Sequence, residues 1–274
     1  MYNISFRPRS NPFFIYGIVI VFFFPIAWVI FCSMRSDASF FSSSPIGLLD
    51  ISLSEAIKRF LSDPKLFSSL RNSILISIFS ATTSVIGGGG IALILSLPIR
   101  KMSSYTIGLI LGLRFLPPVI FIPFYYIVLS KLNLINTLFG LICVYTFAFT
   151  IVAATCLVPS FLALKKAHVS QALLEGASTW QICCRIILPQ VQSGLIVSWC
   201  FAFMSCWNEL LLVSFLTETP KAQGISVYCF SSIGQFRIDF QGLCMGGALS
   251  LLPCLLGVIS FSWFLSRLSK VEAK

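Results

Sequence analysis

Charged side chains are scarce in this sequence. They make up 10% of 274 residues, and 57% are hydrophobic. A soluble domain carries about a quarter charged residues, so an ordinary water-soluble globule is excluded. Histidine is almost missing: His168 stands alone and cannot form a metal cluster. No C-x-x-C pair occurs among the ten cysteines. Seven of them (Cys32, Cys143, Cys156, Cys200, Cys206, Cys244 and Cys254) fall in apolar segments, where a thiol acts as a small hydrophobe. Cys183 and Cys184 are adjacent, which suits neither a zinc site nor an ordinary disulfide. The four-glycine run Gly87–Gly90 lacks the Lys and Ser/Thr that a phosphate loop needs, so it reads as close helix packing. The chain thus has no nucleotide site of its own. No nucleophile triad is present, and no basic patch interleaved with aromatics that would hold nucleic acid.

Apolar runs are what the chain does have. Its mean hydropathy is +0.94. A bilayer core needs roughly 20 apolar residues per helix, and six segments meet that need. They run over about Phe13–Cys32, Ser73–Leu97, Tyr105–Leu129, Thr137–Leu157, Leu195–Leu216 and Leu243–Leu265. The expected fold is therefore all-α, one multi-pass transmembrane domain over residues 1–274. The first segment reads as an uncleaved helix, because it is too long for a signal peptide and lacks a clear small-x-small site. Pro25 lies within that segment, and Pro159 suggests a helix boundary after the fourth.

The net charge of +10 is spread over short loops. With the N-terminus in the cytoplasm, ten Lys and Arg fall on the inner side (Arg7, Arg9, Arg100, Lys101, Lys165, Lys166, Arg185, Arg267, Lys270 and Lys274). Three fall in short outer loops: Lys131, Lys221 and Arg237. The positive-inside rule then places both termini in the cytoplasm. A long outer loop covers about residues 34–71, and Leu53–Phe60 within it has the spacing of a short amphipathic helix.

The segment from Pro159 to Gly194 is long for a connection and cytoplasmic in this topology. It reads as two short helices. Ala163–Leu174 lacks Gly and Pro, Gly176 breaks the pattern, Ser178 caps a second helix over about Trp180–Ile187, and Pro189 ends it. This is either a plain helical hairpin or a docking surface. In the second case Trp180, Ile182, Ile186 and Ile187 are the apolar residues a partner would cover.

Glu175–Pro189, EGASTWQICCRIILP, resembles the EAA loop of bacterial ABC-importer permeases. Gly176, nine residues, then Ile186, Ile187, Leu188 and Pro189 match its spacing. Ser170, Gln171 and Ala172 occupy the E-A-A positions, so the usual acidic residue is absent, and Glu175 stands where an aspartate often precedes the glycine. LRNSILIS from Leu70, Arg114–Ile142 and WNELLL (Trp207–Leu212) are similar to helices of the carbohydrate branch, nearest the maltose-type second permease.

The resemblance implies one permease of a heterodimer in the cell (inner) membrane. It pairs with a second permease, two ATPase subunits and an external substrate-binding protein. ATP and magnesium bind the ATPase, and this chain binds no cofactor and is not an enzyme. Ala172, Glu175, Gly176, Ala177, Ile186, Leu188 and Pro189 would form the ATPase-coupling loop. A sugar or oligosaccharide is the expected cargo, with glycerol-3-phosphate or another small solute as the alternative. An autonomous secondary transporter would call for inverted repeats and coupling charges. Only Arg114 and Glu209 lie inside expected spans, and no repeat is evident. Asn208, Glu209 and Arg114 are candidates for the substrate pathway, or else form a structural pair or reach water at helix ends. Tyr125 and Tyr126 suit either sugar stacking or interfacial anchoring.

Overall fold

The computed structural model describes residues 12–35, 53–96, 108, 112–164, 166–234 and 238–272. These are helical nearly throughout: α1 Pro12–Ser33, α2 Leu53–Ser62, α3 Pro64–Ser96, α4 Ile122–Lys131, α5 Leu138–Leu162, α6 Lys166–Leu174, α7 Thr179–Ile182, α8 Leu188–Trp207, α9 Leu211–Leu216, α10 Ile225–Ser231 and α11 Phe240–Glu272. Four stretches are long and apolar enough to cross a bilayer: Tyr16–Ser33, Pro64–Ser96, Leu138–Leu162 and Thr179–Trp207. Pro118–Lys131 and Phe240–Leu255 are shorter apolar helical stretches. The chain is therefore all-helical with four to six apolar helices. The inner-loop cations Arg100, Lys101 and Lys165, and terminal Arg7, Arg9 and Lys274, lie outside the described residues.

Expected boundaries move: α3 starts at Pro64 and not at Ser73, so helix replaces the end of the expected outer loop, and three other shifts each have a local reason. The third segment is not one continuous helix to Leu129. Tight 3-10 turns at Leu113–Phe115 and Pro118–Phe121 precede α4, and residues 97–107 and 109–111 are outside the described set. Pro117 and Pro118 withhold two backbone donors and push the residue before them out of the helical region. Pro159 lies inside α5, which continues to Leu162. It sits in the last turn, where a broken bond disturbs little downstream helix. The fifth segment breaks after Trp207 and resumes as α9. Here the Asn208 side chain donates to the Met204 carbonyl at 2.9 Å, and Glu209 Oε1 accepts the Leu212 amide at 3.1 Å. Polar side chains that bond the local backbone compete with a continuous helix.

The chain folds as two compact units, one from residues 1–64 and 228–255, the other from 65–227 and 256–274. In the first, α2 is the helix expected over Leu53–Phe60. Arg59 pairs with Asp239 and donates to Gln241 Oε1 at 2.6 Å. Asp239 Oδ1 accepts the Gly242 amide at 2.8 Å near the start of α11. Tyr228 donates to Asp63 at 2.8 Å, and burial together with that carboxylate raises the phenol pKa.

In the second unit α3 buries a stripe of small residues: Ser73, Ser77, Ser80, Ser84, Gly88 and Ala92. The spacing of three and four puts them on one helix face. A Cβ on Gly88 would stand 2.6 Å from the Ala154 nitrogen of α5. The glycine run thus does serve close packing, since only small residues let helix backbones approach so far. Gly194 of α8 meets Ser160 of α5 in the same way, and a Cβ there would fall 2.7 Å from Ser160 Cβ. Two asparagines pin loops to this core. Asn72, fully buried, donates to the carbonyls of Lys221 and Gln223 at 3.0 and 3.1 Å. Asn136, in the left-handed region at φ 59°, donates to Thr219 Oγ1 at 2.7 Å and accepts the Thr219 amide at 3.1 Å.

Candidate functional site

The segment between α5 and α8 is an elbow built from two backbone motifs. Leu174 ends α6, and Gly176 turns the chain at φ +79°. The Ala177 amide donates to the Ala172 carbonyl at 3.0 Å, and the Gly176 amide to that of Leu173 at 3.1 Å. This is a Schellman closure, which needs a left-handed residue where glycine meets no steric penalty. Ser178 then opens α7. Its hydroxyl accepts the Gln181 amide at 3.3 Å, while its own amide donates to Gln181 Oε1 at 2.8 Å. That is a reciprocal capping box. Ser178 is legible in the sequence as the cap; its partner Gln181 goes unmarked there, although the S-x-x-Q spacing signals it.

Pro189 does not end the second helix. The chain passes from α7 through a π turn, Cys183–Ile187, straight into α8, and Pro189 occupies its first turn. Proline cannot donate, and its ring crowds the carbonyl four residues back. That carbonyl belongs to Arg185, inside the wider π turn, where the enlarged ring of the helix relieves the crowding.

The elbow has an inner and an outer face. Ala172, Ile182 and Ile187 are buried against Leu157, Val158, Phe161 and Val191. Ala177 and Ile186 are half-buried on the same cluster. Glu175, Gly176, Leu188 and Pro189 are exposed. So are Leu173, Leu174 and Trp180, at 59%, 90% and 76%. Of the four residues expected to await a partner, only Trp180 is exposed, and Ile186 is half-buried. Ile182 and Ile187 are already covered by the chain itself, because α6, α7 and the π turn fold back onto the ends of α3 and α5. Leu173 and Leu174 take their place on the open face. With Ala172 directed inward, the two positions that follow it on the helix point outward.

The remaining candidates are dispersed. Arg114 lies exposed in a 3-10 turn, its Nη1 3.5 Å from Thr155 Oγ1. Asn208 is exposed. Glu209 is half-buried and lines a small cavity of about 10 Å³, room for one water-sized particle, with Ser73, Ser77, Tyr145, Trp207 and Ser226. Arg114 and Glu209 do not form an ion pair. Tyr125 is buried in the core and Tyr126 is exposed.

Comparison with known proteins adds sequence and fold likeness. Residues 88–270 match the family model described as binding-protein-dependent transport system inner membrane component. The chain is 27% identical over 240 residues to the diacetylchitobiose uptake system permease protein NgcG of Streptomyces coelicolor, covering 85% of this chain and 77% of that one. It is 26% identical over 223 residues to the trehalose/maltose transport system permease protein MalG of Thermococcus litoralis, covering 76% and 75%. A crystal structure of a bacterial ABC transporter involved in import of the acidic polysaccharide alginate contains a chain that superposes with TM-score 0.75 at 19% identity, over 93% of this chain and 94% of that one.

Proposed function

The chain belongs to the binding-protein-dependent transport system inner membrane component family, and from that membership we propose that it is a permease subunit of an ABC importer, forming half of the translocation pathway for a sugar or oligosaccharide. The relatives named for diacetylchitobiose and for trehalose/maltose support a carbohydrate cargo. The subunit is non-catalytic. It pairs with a second permease, receives substrate from an external binding protein, and couples through its cytoplasmic loop to two ATPase subunits that hold ATP and magnesium. Six spans with both termini in the cytoplasm complete this reading, with the third and sixth supplied by the regions around Pro118–Lys131 and Phe240–Leu255. Exposed Arg114 and Asn208, with half-buried Glu209, are the pathway contacts.

One observation carries the coupling role: the elbow is capped by local hydrogen bonds, packed on the core along one side, and offers an open apolar face on the other. Gly176 sits at its tip between exposed Leu173, Leu174 and Trp180, while the opposite face is locked into the core. An exposed apolar group of this kind on a fixed scaffold is what a partner subunit buries. Glu175 and Gly176 are the tip, Ala177 and Ile186 its half-buried supports, and Leu188 and Pro189 carry motion into α8.

Co-purification of the tagged chain from native membranes, with mass spectrometry, tests this. Wild type should retain a second permease and an ATPase. Gly176→Trp should lose the ATPase and keep the permease, because a large side chain cannot adopt φ +79° without strain. A chain that purifies alone and carries substrate in liposomes without ATP would refute the proposal.

A further inference from the structure

The cavity at the break between α8 and α9 holds a carboxylate that the coupling role does not use. Glu209 is engaged only in part by the Leu212 amide. Among the described residues it makes no ion pair, and the cavity lining contains no Lys, Arg or His. Two hydroxyl side chains line the same space, Ser77 at 1% and Tyr145 at 2% exposure. Neither has a hydrogen-bond partner in the protein among the described residues. Ser73 and Ser226 add two more oxygens, already engaged with the Ile225 amide at 2.7 Å and the Trp207 carbonyl at 3.3 Å.

A half-buried carboxylate beside an apolar segment, held so far by one amide, is stabilised further by a nearby positive charge. Buried hydroxyls likewise need partners. Water would hydrogen-bond these groups but supplies no counter-charge to the carboxylate. A hard cation answers both demands, because its ligands are carboxylate and hydroxyl oxygens. The single carboxylate balances a single positive charge, whereas divalent sites recruit several. We propose that this cavity is a binding site for one hard monovalent cation, held by Glu209 with Ser77 and Tyr145 as oxygen ligands. The ion would tie the broken helix to α3 and α5, the elements that carry Ser77 and Tyr145.

The test is thermal unfolding of the full chain, purified with whatever subunits accompany it. Sodium chloride is titrated against N-methylglucamine chloride at constant ionic strength, so that general screening is unchanged. Wild type should show a saturable rise in Tm, on the order of 5 °C, because a ligand bound only by the native state stabilises it. Glu209→Gln keeps an oxygen for the Leu212 amide but loses the charge, and should abolish the sodium-specific rise. Ser77→Ala and Tyr145→Phe should each move the midpoint to about tenfold higher sodium, the loss expected for one polar contact. A wild type without a sodium-specific rise would overturn the proposal and leave a water-filled cavity only. So would a rise that survives Glu209→Gln. If Glu209→Gln fails to fold, unchanged midpoints in both hydroxyl variants overturn it. The readout is ion binding, independent of ATPase docking and of cargo.

Discussion

Gly88 and Gly90 lie two residues apart in α3, and alanine at each should act in opposite directions. Both are interior helix positions, so replacing glycine with alanine gains about 1 kcal/mol of helix propensity at either site. Their surroundings differ. A Cβ on Gly90 meets nothing within 4 Å, whereas one on Gly88 falls 2.6 Å from Ala154 N and 2.9 Å from Ala153 Cβ. Both distances are shorter than real Cβ contacts, and the obstruction is the α5 backbone, which cannot rotate away as a side chain would. The helices must separate, and overpacking of this sort costs about 1–3 kcal/mol. Gly90→Ala should therefore raise Tm slightly. Gly88→Ala should fall below it by several degrees, at the few degrees per kcal/mol expected of a chain this size. Thermal unfolding of the purified full chain, followed by tryptophan fluorescence, measures the gap. Equal Tm values for the two variants would refute the packing argument, because propensity cancels between them.

Three further outcomes follow from single contacts. Asn72→Ala leaves the carbonyls of Lys221 and Gln223 without their shared donor in a part-buried setting, and should destabilise by about 1 kcal/mol in the same assay. Ser178→Ala removes half of the capping box and should cost about 1 kcal/mol locally; faster hydrogen exchange confined to α7 would be the sign, with ATPase retention reduced but not lost. Ile187→Ala opens a cavity under the elbow without touching its exposed face. It should cost about 2–5 kcal/mol, keep the ATPase in co-purification, and lower transport per ATP hydrolysed; unchanged coupling would argue that the inner face is not part of transmission.

Periodicity locates the apolar segments because lipid exposure makes a long hydrophobic run unambiguous. It does not find where such a run breaks. In sequence, Asn208 and Glu209 are two polar residues in a continuous span, and their bonds to Met204 and Leu212 depend on a turn that only the folded chain displays. Pro159 and Pro189 mislead in a related way. Each marks the loss of one backbone bond, but whether the helix stops there depends on what surrounds the freed carbonyl, and in both places the helix goes on. In the elbow, by contrast, the signals are local. Gly176 and Ser178 act through their own backbone and immediate neighbours, so reading them in sequence is enough. Which isoleucines are already buried is a tertiary matter, decided by Leu157, Val158 and Phe161 far along the chain.

That burial bears on how force would travel. An elbow attached only by its ends would flex when a partner moved it, and little of the motion would reach the membrane helices. Here Ala172 from α6, Ile182 from α7 and Ile187 from the π turn share one buried cluster with Ala92 and Leu95 of α3 and Phe161 of α5. Interiors packed this closely transmit strain because there is no void to absorb it. The chain also enters α8 without a loop, through the π turn and Pro189. A displacement of the exposed Leu173–Trp180 face therefore has two routes into the bundle, along the α8 backbone and sideways into α3 and α5. The small-residue contacts of Gly88 and Gly194 hold α3 and α8 against α5 further along the same helices. Rigidity at the elbow and close approach between the helices are then parts of one requirement, that a push at the loop moves helices as bodies and is not lost in the joint.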